Sequence, residues 1–424
     1  MQSEEQINLN AYKNIKAVAF AAALLHSASA QSDDHPKDYT PDFAAVPFAF
    51  SSDSLGFAVG AAGLIKSAGQ PQASLLGVGV ITDKNSWITF LSANNYVLAQ
   101  DSRWLFGADL YAADFNQADY YVGDGTLNDS SQDDAIIADG QETQYRLTAR
   151  YILPFGAGES EGFMAAIKPV RTLTGSSPWT SGISSLEFRP FYQSREFTDS
   201  TASDIGFEEP TSVWGLETRF DWDNRNNTRN PTDGSRSQFS VTYSPGDSDS
   251  PEWWKWELSQ SWFWDLGAFK DLIDQQVFAF NVYTGDTPSW NNTQNINGKD
   301  EFNRPPEYAG TRLGGLYRLR SFQGGRYVDR SALSYSMEYR VLPDWQPLGE
   351  WPVFDWYDVP WWQWVAFADI GRVADEYNLV ELHKDMKWSA GGAIRFQVEG
   401  VVVRTEIAWG SEDNMFRVMI NQPF

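Results

Sequence analysis

Cysteine is absent from this 424-residue chain, and histidine occurs three times. Without cysteine there is no disulfide framework, no thiolate nucleophile and no thiolate metal site. His26 lies in the first thirty residues, leaving His35 in a polar stretch and His383 in an expected surface loop. A hydrolytic triad needs a histidine beside its nucleophile, and histidine metal centres need several together. The composition therefore points away from an enzyme and implies no metal or cofactor. Long apolar runs are missing too. No segment approaches the roughly 18–20 apolar residues of a membrane-spanning helix. Basic residues are outnumbered, 32 Lys and Arg against 56 Asp and Glu, for a formal net charge of −24. Phosphate backbones select clustered Lys and Arg, so nucleic acid is not an expected partner. The acidic run Asp129–Asp134 reads as a solvated loop.

What the chain has in excess is aromatic surface: 15 % Phe, Tyr and Trp, with 19 Trp, at a mean hydropathy of −0.43. Two all-β classes accommodate this, a large soluble sandwich or propeller and a transmembrane barrel. No blade-length repeat is visible. Barrel strands alternate lipid-facing apolar residues with lumen-facing polar ones and carry aromatic girdles, which keeps mean hydropathy low. Several stretches show that alternation. In 254–266, Trp254, Trp256, Leu258, Trp262, Trp264 and Leu266 oppose Lys255, Glu257, Ser259, Ser261 and Asp265. In 211–223, Trp214, Leu216, Phe220 and Trp222 oppose Glu217, Arg219, Asp221 and Asp223. In 401–409, Val401, Val403, Ile407 and Trp409 oppose Arg404 and Glu406.

These patterns predict about sixteen antiparallel strands over a barrel spanning 51–424. The first is expected at 54–66, the sixth at 161–173 and the last at 414–424. Residues 1–30 have the layout of a signal peptide: Lys13 and Lys16, an apolar run from Ala17 to Leu25, and Ala28-Ser29-Ala30. Residues 31–50 are expected to be a short periplasmic tail. The Trp-rich segment 343–361 fits either an amphipathic stretch at the membrane surface or a plug at the rim. The acidic segment 116–142 has no functional reading.

The most informative stretch runs from Leu313 to Arg340. It pairs a Gly-rich basic loop, including Gly314 and Gly315, with an alternating strand. On that strand Leu333, Tyr335, Met337 and Tyr339 oppose Ser334, Ser336, Glu338 and Arg340. Its tetrad Leu319-Arg320-Ser321-Phe322 resembles the sixth-loop motif of the BamA/TamA-like outer-membrane barrel superfamily, whose tetrad is Val/Ile-Arg-Gly-Phe/Tyr. Ser321 stands at the family's glycine. The turn Asp221 to Arg236, which contains Pro-Thr-Asp-Gly, resembles the family's turn before its ninth strand. Phe367-Ala368-Asp369-Ile370-Gly371 resembles its aspartate-and-glycine motif. The C-terminal Phe424, after Phe416, Val418 and Ile420, resembles an outer-membrane assembly signal.

The resemblance implies an integral outer-membrane barrel in a Gram-negative cell, surrounded by outer-membrane lipid, with its sixth loop folded inward. It implies that Arg320 meets Glu338 and Asp369 in the lumen. The alternative is a generic water-filled pore wall, where such pairs contribute only about 0–1 kcal/mol each. It also implies a lateral seam where the first strand meets the last, here marked by Gly56, Gly60 and Gly63 on one side and Phe416, Val418 and Phe424 on the other. Small residues packed against a plug are the alternative. The twenty residues after the signal are too few for the POTRA domains that other family members carry. A separate periplasmic protein is the partner this implies. Three function classes follow: insertion or translocation of a polypeptide or lipid through the seam, a passive pore or structural barrel, and, disfavoured by the histidine count, a membrane enzyme.

Overall fold

The computed structural model describes residues 41–52, 56–99, 102–248, 250–348, 359–398, 401–412, 414–420 and 422–424. The expected signal peptide, the first half of the tail (31–40) and the middle of the Trp-rich segment lie outside the described residues. Sixteen strands form one antiparallel sheet in chain order. They are β1 (Asp42–Ser52), β2 (Gly56–Lys66), β3 (Ser74–Thr82), β4 (Trp87–Tyr96), β5 (Trp104–Tyr120), β6 (Ile136–Ile152), β7 (Ile183–Phe197) and β8 (Ser212–Arg225). There follow β9 (Gly234–Ser244), β10 (Trp253–Phe269), β11 (Ile273–Asp286), β12 (Ser331–Pro343), β13 (Trp362–Ala374), β14 (Lys387–Val398), β15 (Val401–Gly410) and β16 (Asn414–Ile420).

The period-two pattern decides which way each side chain points. On β10, Trp254, Leu258, Trp264 and Leu266 are 39–55 % exposed on the outer face, while Lys255 and Ser261 are buried on the inner one. On β15, Ile407 and Trp409 are exposed while Arg404 and Glu406 are buried. An apolar exterior and a polar interior invert the soluble pattern and are the arrangement a lipid-facing sheet requires.

Two strand expectations are corrected. Residues 161–173 do not form a strand: 157–161 and 164–167 are short helical turns, and Ala165 packs with Leu105, Ile152 and Ile183. Helix-compatible Met164-Ala165-Ala166-Ile167 lacks the β-branched alternation of its neighbours. Conversely, the expected tail contains β1. Pro47 sits in its middle, and proline in a sheet is confined to edges because it cannot donate to the ladder. β1 is that edge. The two errors offset, so β8 keeps its ordinal place. The acidic segment 116–142 resolves into extensions of β5 and β6, both 17 residues long, joined by two 3₁₀ turns at 123–126 and 132–134.

Residues 287–330, between β11 and β12, form the long sixth loop. It makes a small outer hairpin, Thr293–Ile296 with Lys299–Phe302, and then turns inward through a second pairing, Thr311–Leu313 with Tyr327–Asp329. Its apex, 314–325, lies in the lumen. The turn after β8 reaches across to β13, where Gln363 Nε2 donates to Asn230 Oδ1 at 3.1 Å. Phe424 does not stand on the seam as expected. The chain turns inward after β16, and Phe424 packs against Phe263 of β10 and beneath the guanidinium of Arg340.

Candidate functional site: the loop clamp and the seam

The apex of loop six turns through Gly314 and Gly315, at φ +94° and +115°, values that glycine adopts without a Cβ clash. Leu319 also has positive φ, +47°, which costs a side-chain-bearing residue about 1–3 kcal/mol. Its neighbours hold it there. Leu319 and Phe322 are buried with Tyr283, Leu313, Tyr327, Ala332 and Val373, a small apolar core inside the barrel. The Phe322 N–H donates to the Leu319 carbonyl at 3.0 Å.

This turn aims Arg320 at the inner wall. Its Nη2 and Nε each donate to Asp369 at 2.9 Å, and its backbone N–H adds a third bond at 3.0 Å. Nη1 reaches Glu338 at 2.5 Å, and the guanidinium lies 3.7 Å from the Phe367 ring centroid. The structure thus brings Arg320, Glu338 and Asp369 together. It also gathers more than those three. Glu338 accepts from Arg340 at 2.8 Å and from Arg395 at 2.7 Å. Glu406 accepts from Arg404 at 2.9 Å and Arg395 at 3.3 Å. Four guanidiniums therefore share three carboxylates. The pore-wall alternative assumed water, yet Arg320 and Asp369 are 1 % exposed and Glu338 is 0 % exposed. Charges this dry are costly to separate, because a lone survivor keeps its desolvation penalty.

Ser321, at the family's glycine, is accommodated by a different glycine. Its hydroxyl lies 3.1 Å from Ser389 Oγ, and a Cβ at Gly410 would overlap its Oγ. Sequence reasoning had no signal for Gly410. It also passed over Arg417, although strict alternation between Phe416 and Val418 points it inward. Arg417 donates to the carbonyls of Gly315, Arg320 and Phe322 at 2.5, 3.1 and 2.6 Å. Higher on the loop, Arg326 pairs with Glu412 in the β15–β16 turn at 2.9 Å and donates to the Gly125 carbonyl. His383 is exposed and meets the Tyr335 hydroxyl at 2.8 Å, with no nucleophile in the pair.

The seam differs from the expectation in two ways. Gly56, Gly60 and Gly63 belong to β2, one strand in from the edge. Gly60 pairs with Phe48, whose ring lies where a Cβ would be, 2.6 Å away. A Cβ at Gly63 would meet only the Ala44 carbonyl oxygen, at 4.0 Å. The expected short pairing of the first and last strands is also absent among the described residues, where β1 and β16 lie together without a paired register. One cavity of about 160 Å³ is lined by Val46, Phe48, Leu76 and Val78, from the inward set of β1–β3. It is lined equally by Val401, Val403 and Val418, from the outward set of β15–β16. In a flush sheet β3 and β15 would stand four strand spacings apart, roughly 19 Å. A cavity this small joins them because the edges overlap, with the C-terminal strands tucked inside the N-terminal ones. Phe416 remains on the exposed outer face.

The model of a family described as the Omp85 superfamily domain matches residues 81–422. Among solved structures, CdiB from Escherichia coli is similar at TM-score 0.52 and 10 % identity, over 91 % of this chain and 62 % of that one. BamA from Haemophilus ducreyi lacking POTRA domains 1–3 gives 0.49 and 14 %, over 90 % and 70 %. CdiB from Acinetobacter baumannii gives 0.47 and 11 %, over 90 % and 59 %. The chain thus spans about three fifths of the CdiB structures. No curated protein matches the sequence.

Proposed function

The chain belongs to the Omp85 superfamily, and on that premise we propose that it inserts or translocates a polypeptide or a lipid through the lapped seam between β1 and β16. The seam itself carries the reading: two sheet edges that meet through apolar side chains, without a paired register among the described residues. The last strand, β16, is the shortest of the sixteen at 7 residues, so little ladder is available on that lip. The barrel sits in the outer membrane, and the substrate comes from the periplasmic side, with or without a separate periplasmic partner. Loop six, fixed to the C-terminal wall by the Arg320 clamp, keeps that wall in shape while the N-terminal lip moves.

Because the chain has no cysteine, a Val46→Cys, Val418→Cys pair gives a clean lock, by disulfide or by a short bis-maleimide. The locked barrel should fail to restore outer-membrane protein and lipid assembly to cells depleted of the native protein. Reduction of the disulfide should restore it. Full complementation by the locked form refutes the seam. Planar-bilayer currents separate the alternative: large, steady openings would mark a passive pore, whereas a lumen occupied by loop six gives small, brief ones.

A further inference from the structure

A second lumen cavity, of about 270 Å³, lies between loop six and the wall from β6 to β11. Six cations line it: Arg146, Arg189, Arg219, Lys255, Arg312 and Arg318. Only Glu217 and Glu257 face them. In a chain of net charge −24, this concentration of positive charge is against the composition. The two carboxylates are already engaged. Glu217 takes Arg219 at 2.6 Å and Arg189 at 2.9 Å; Glu257 takes Lys255 at 3.3 Å and the Tyr283 hydroxyl at 2.6 Å. Among the described residues, Arg146, Arg312 and Arg318 have no carboxylate within ion-pair distance. A cluster of like charges held together without counter-charge is destabilising unless something supplies the anion.

Hydrogen bonding gives the same sign. The buried polar atoms of this lining that lack a partner are Arg146 Nε, Arg189 Nε and Trp253 Nε1. All three are donors, and Trp253 is 1 % exposed. A buried donor without an acceptor costs about 1–3 kcal/mol. The cavity is therefore short of acceptors, not of donors. Arg318 is held flat, 3.4 Å from the Tyr283 ring centroid, with its fork free to meet an oxyanion.

We infer that this cavity is a binding site for a small phosphoryl-bearing anion. Three unpaired guanidiniums and an indole N–H call for more acceptor oxygens than the two of a carboxylate, and a phosphoryl group brings three or four. The volume is near the lower bound of about 300 Å³ for small-molecule pockets, so the occupant is the size of a pyrophosphate or a phosphorylated headgroup. The site does not depend on the seam reading, since it is built from strands on the far wall.

The test uses the purified barrel in zwitterionic detergent and phosphate-free buffer, titrated calorimetrically with pyrophosphate. Saturable one-to-one binding is expected, weakening as NaCl rises. The Arg146→Gln, Arg318→Gln double variant should bind at least tenfold more weakly. Lys299→Gln, at the tip of the outer hairpin, should bind as the parent does. Pyrophosphate binding that is unchanged in the double variant overturns the site. A second arm presents phosphatidic acid in nanodiscs and follows tryptophan fluorescence. Quenching that requires Arg146 and Arg318, without pyrophosphate binding, assigns the phosphoryl group to a lipid headgroup; quenching in neither arm overturns the proposal. If the double variant loses heat-modifiable folding, the single Arg318→Gln variant decides: it removes one charge from the cavity, and undiminished binding there refutes the inference.

Discussion

Arg320→Ala is the sharpest perturbation of the clamp, because its consequences are unequal at the two acids. Glu338 would keep two partners, Arg340 and Arg395, both under 3 Å. Asp369 would lose both guanidinium bonds and keep only the backbone N–H of residue 320. The cost is therefore concentrated on one stranded carboxylate in a dry site. Removing one partner of a buried pair typically costs about 3–5 kcal/mol. The sixteen-stranded ladder does not pass through Arg320, so the penalty falls on the docked loop. At tenfold per 1.4 kcal/mol, the open-loop population should rise roughly a hundredfold or more. Native-state proteolysis measures it, since cleavage tracks the open population when reclosing is fast. Cleavage within 287–330 should accelerate by about that factor while heat-modifiable migration persists. Arg320→Ala with Asp369→Asn should recover part of the loss, because the stranded charge is gone. Unchanged cleavage in Arg320→Ala, or no recovery in the double variant, would show that the apolar core around Leu319 holds the loop unaided.

Gly410→Ala should also displace the loop, since its Cβ would overlap Ser321 Oγ and lie 2.9 Å from the Trp388 carbonyl; adding Ser321→Gly should restore protease resistance, and failure of that rescue refutes the pairing. Loop packing should loosen with rising pH. Burial pushes Glu307 up to about 8, with repulsion from Glu209 adding to it, and pushes Glu209 up to about 7, while Glu307 accepts the Gly123 N–H at 2.6 Å and donates its own N–H to Glu209 at 3.0 Å. Both folded values exceed the ordinary 4.5, so this stability is present below about pH 5 and fades towards pH 8. Cleavage in 198–211 and 303–311 should be faster at pH 9 than at pH 5, and Glu307→Gln should flatten the difference. Deleting Gln422–Phe424 removes the ring packed on Phe263 and the Gln422 side chain that accepts from Arg395 at 2.5 Å; single-channel currents should become larger, and unchanged currents would place the block elsewhere.

The inner and outer faces were legible because period two leaves no choice: once Trp264 faces out, Ser261 and Lys255 face in. The Arg320 contacts were legible for the same reason, helped by the resemblance of the tetrad. What was not legible depended on tertiary placement. Pro47 made β1 look like a tail, because a proline-bearing strand is recognisable only when its edge position is known. Gly410 carries no local sign that it makes room for a serine ninety residues away. Phe424 continues an apolar alternation, yet it packs on Phe263 across the lumen, a placement no local pattern records. The overlap of the seam follows from how sixteen twisted strands meet, which alternation within any one strand does not record.

The distribution of loop-six anchors bears on how the seam could open. At its apex the charged contacts go to Glu338 on β12, Asp369 on β13, Arg404 on β15, Glu412 in the following turn and Arg417 on β16, all on the C-terminal lip, while Lys255 on β10 and the β5–β6 connection at Gly123 and Gly125 hold its outer part. The N-terminal lip offers that lip an apolar surface instead, Val46, Phe48, Leu76 and Val78. In water, parting such surfaces costs about 25 cal/mol for each Å² exposed. In a bilayer the replacement is acyl chain, which is as apolar as the side chains it displaces, so the hydrophobic penalty largely vanishes. Hydrogen bonds would be the remaining resistance, and no paired register supplies them among the described residues. The lapped joint is therefore weak where lipid can enter it, while the clamp, sealed from both lipid and water, stays closed. Seam opening should accordingly be insensitive to Arg320 and sensitive to the lip. Replacing Val46 and Val418 with serine should favour water in the joint and raise crosslinking of β1 cysteines to aqueous maleimides, with cleavage of loop six unchanged. Loop release that accompanied lip opening would mean instead that the clamp and the seam move as one body.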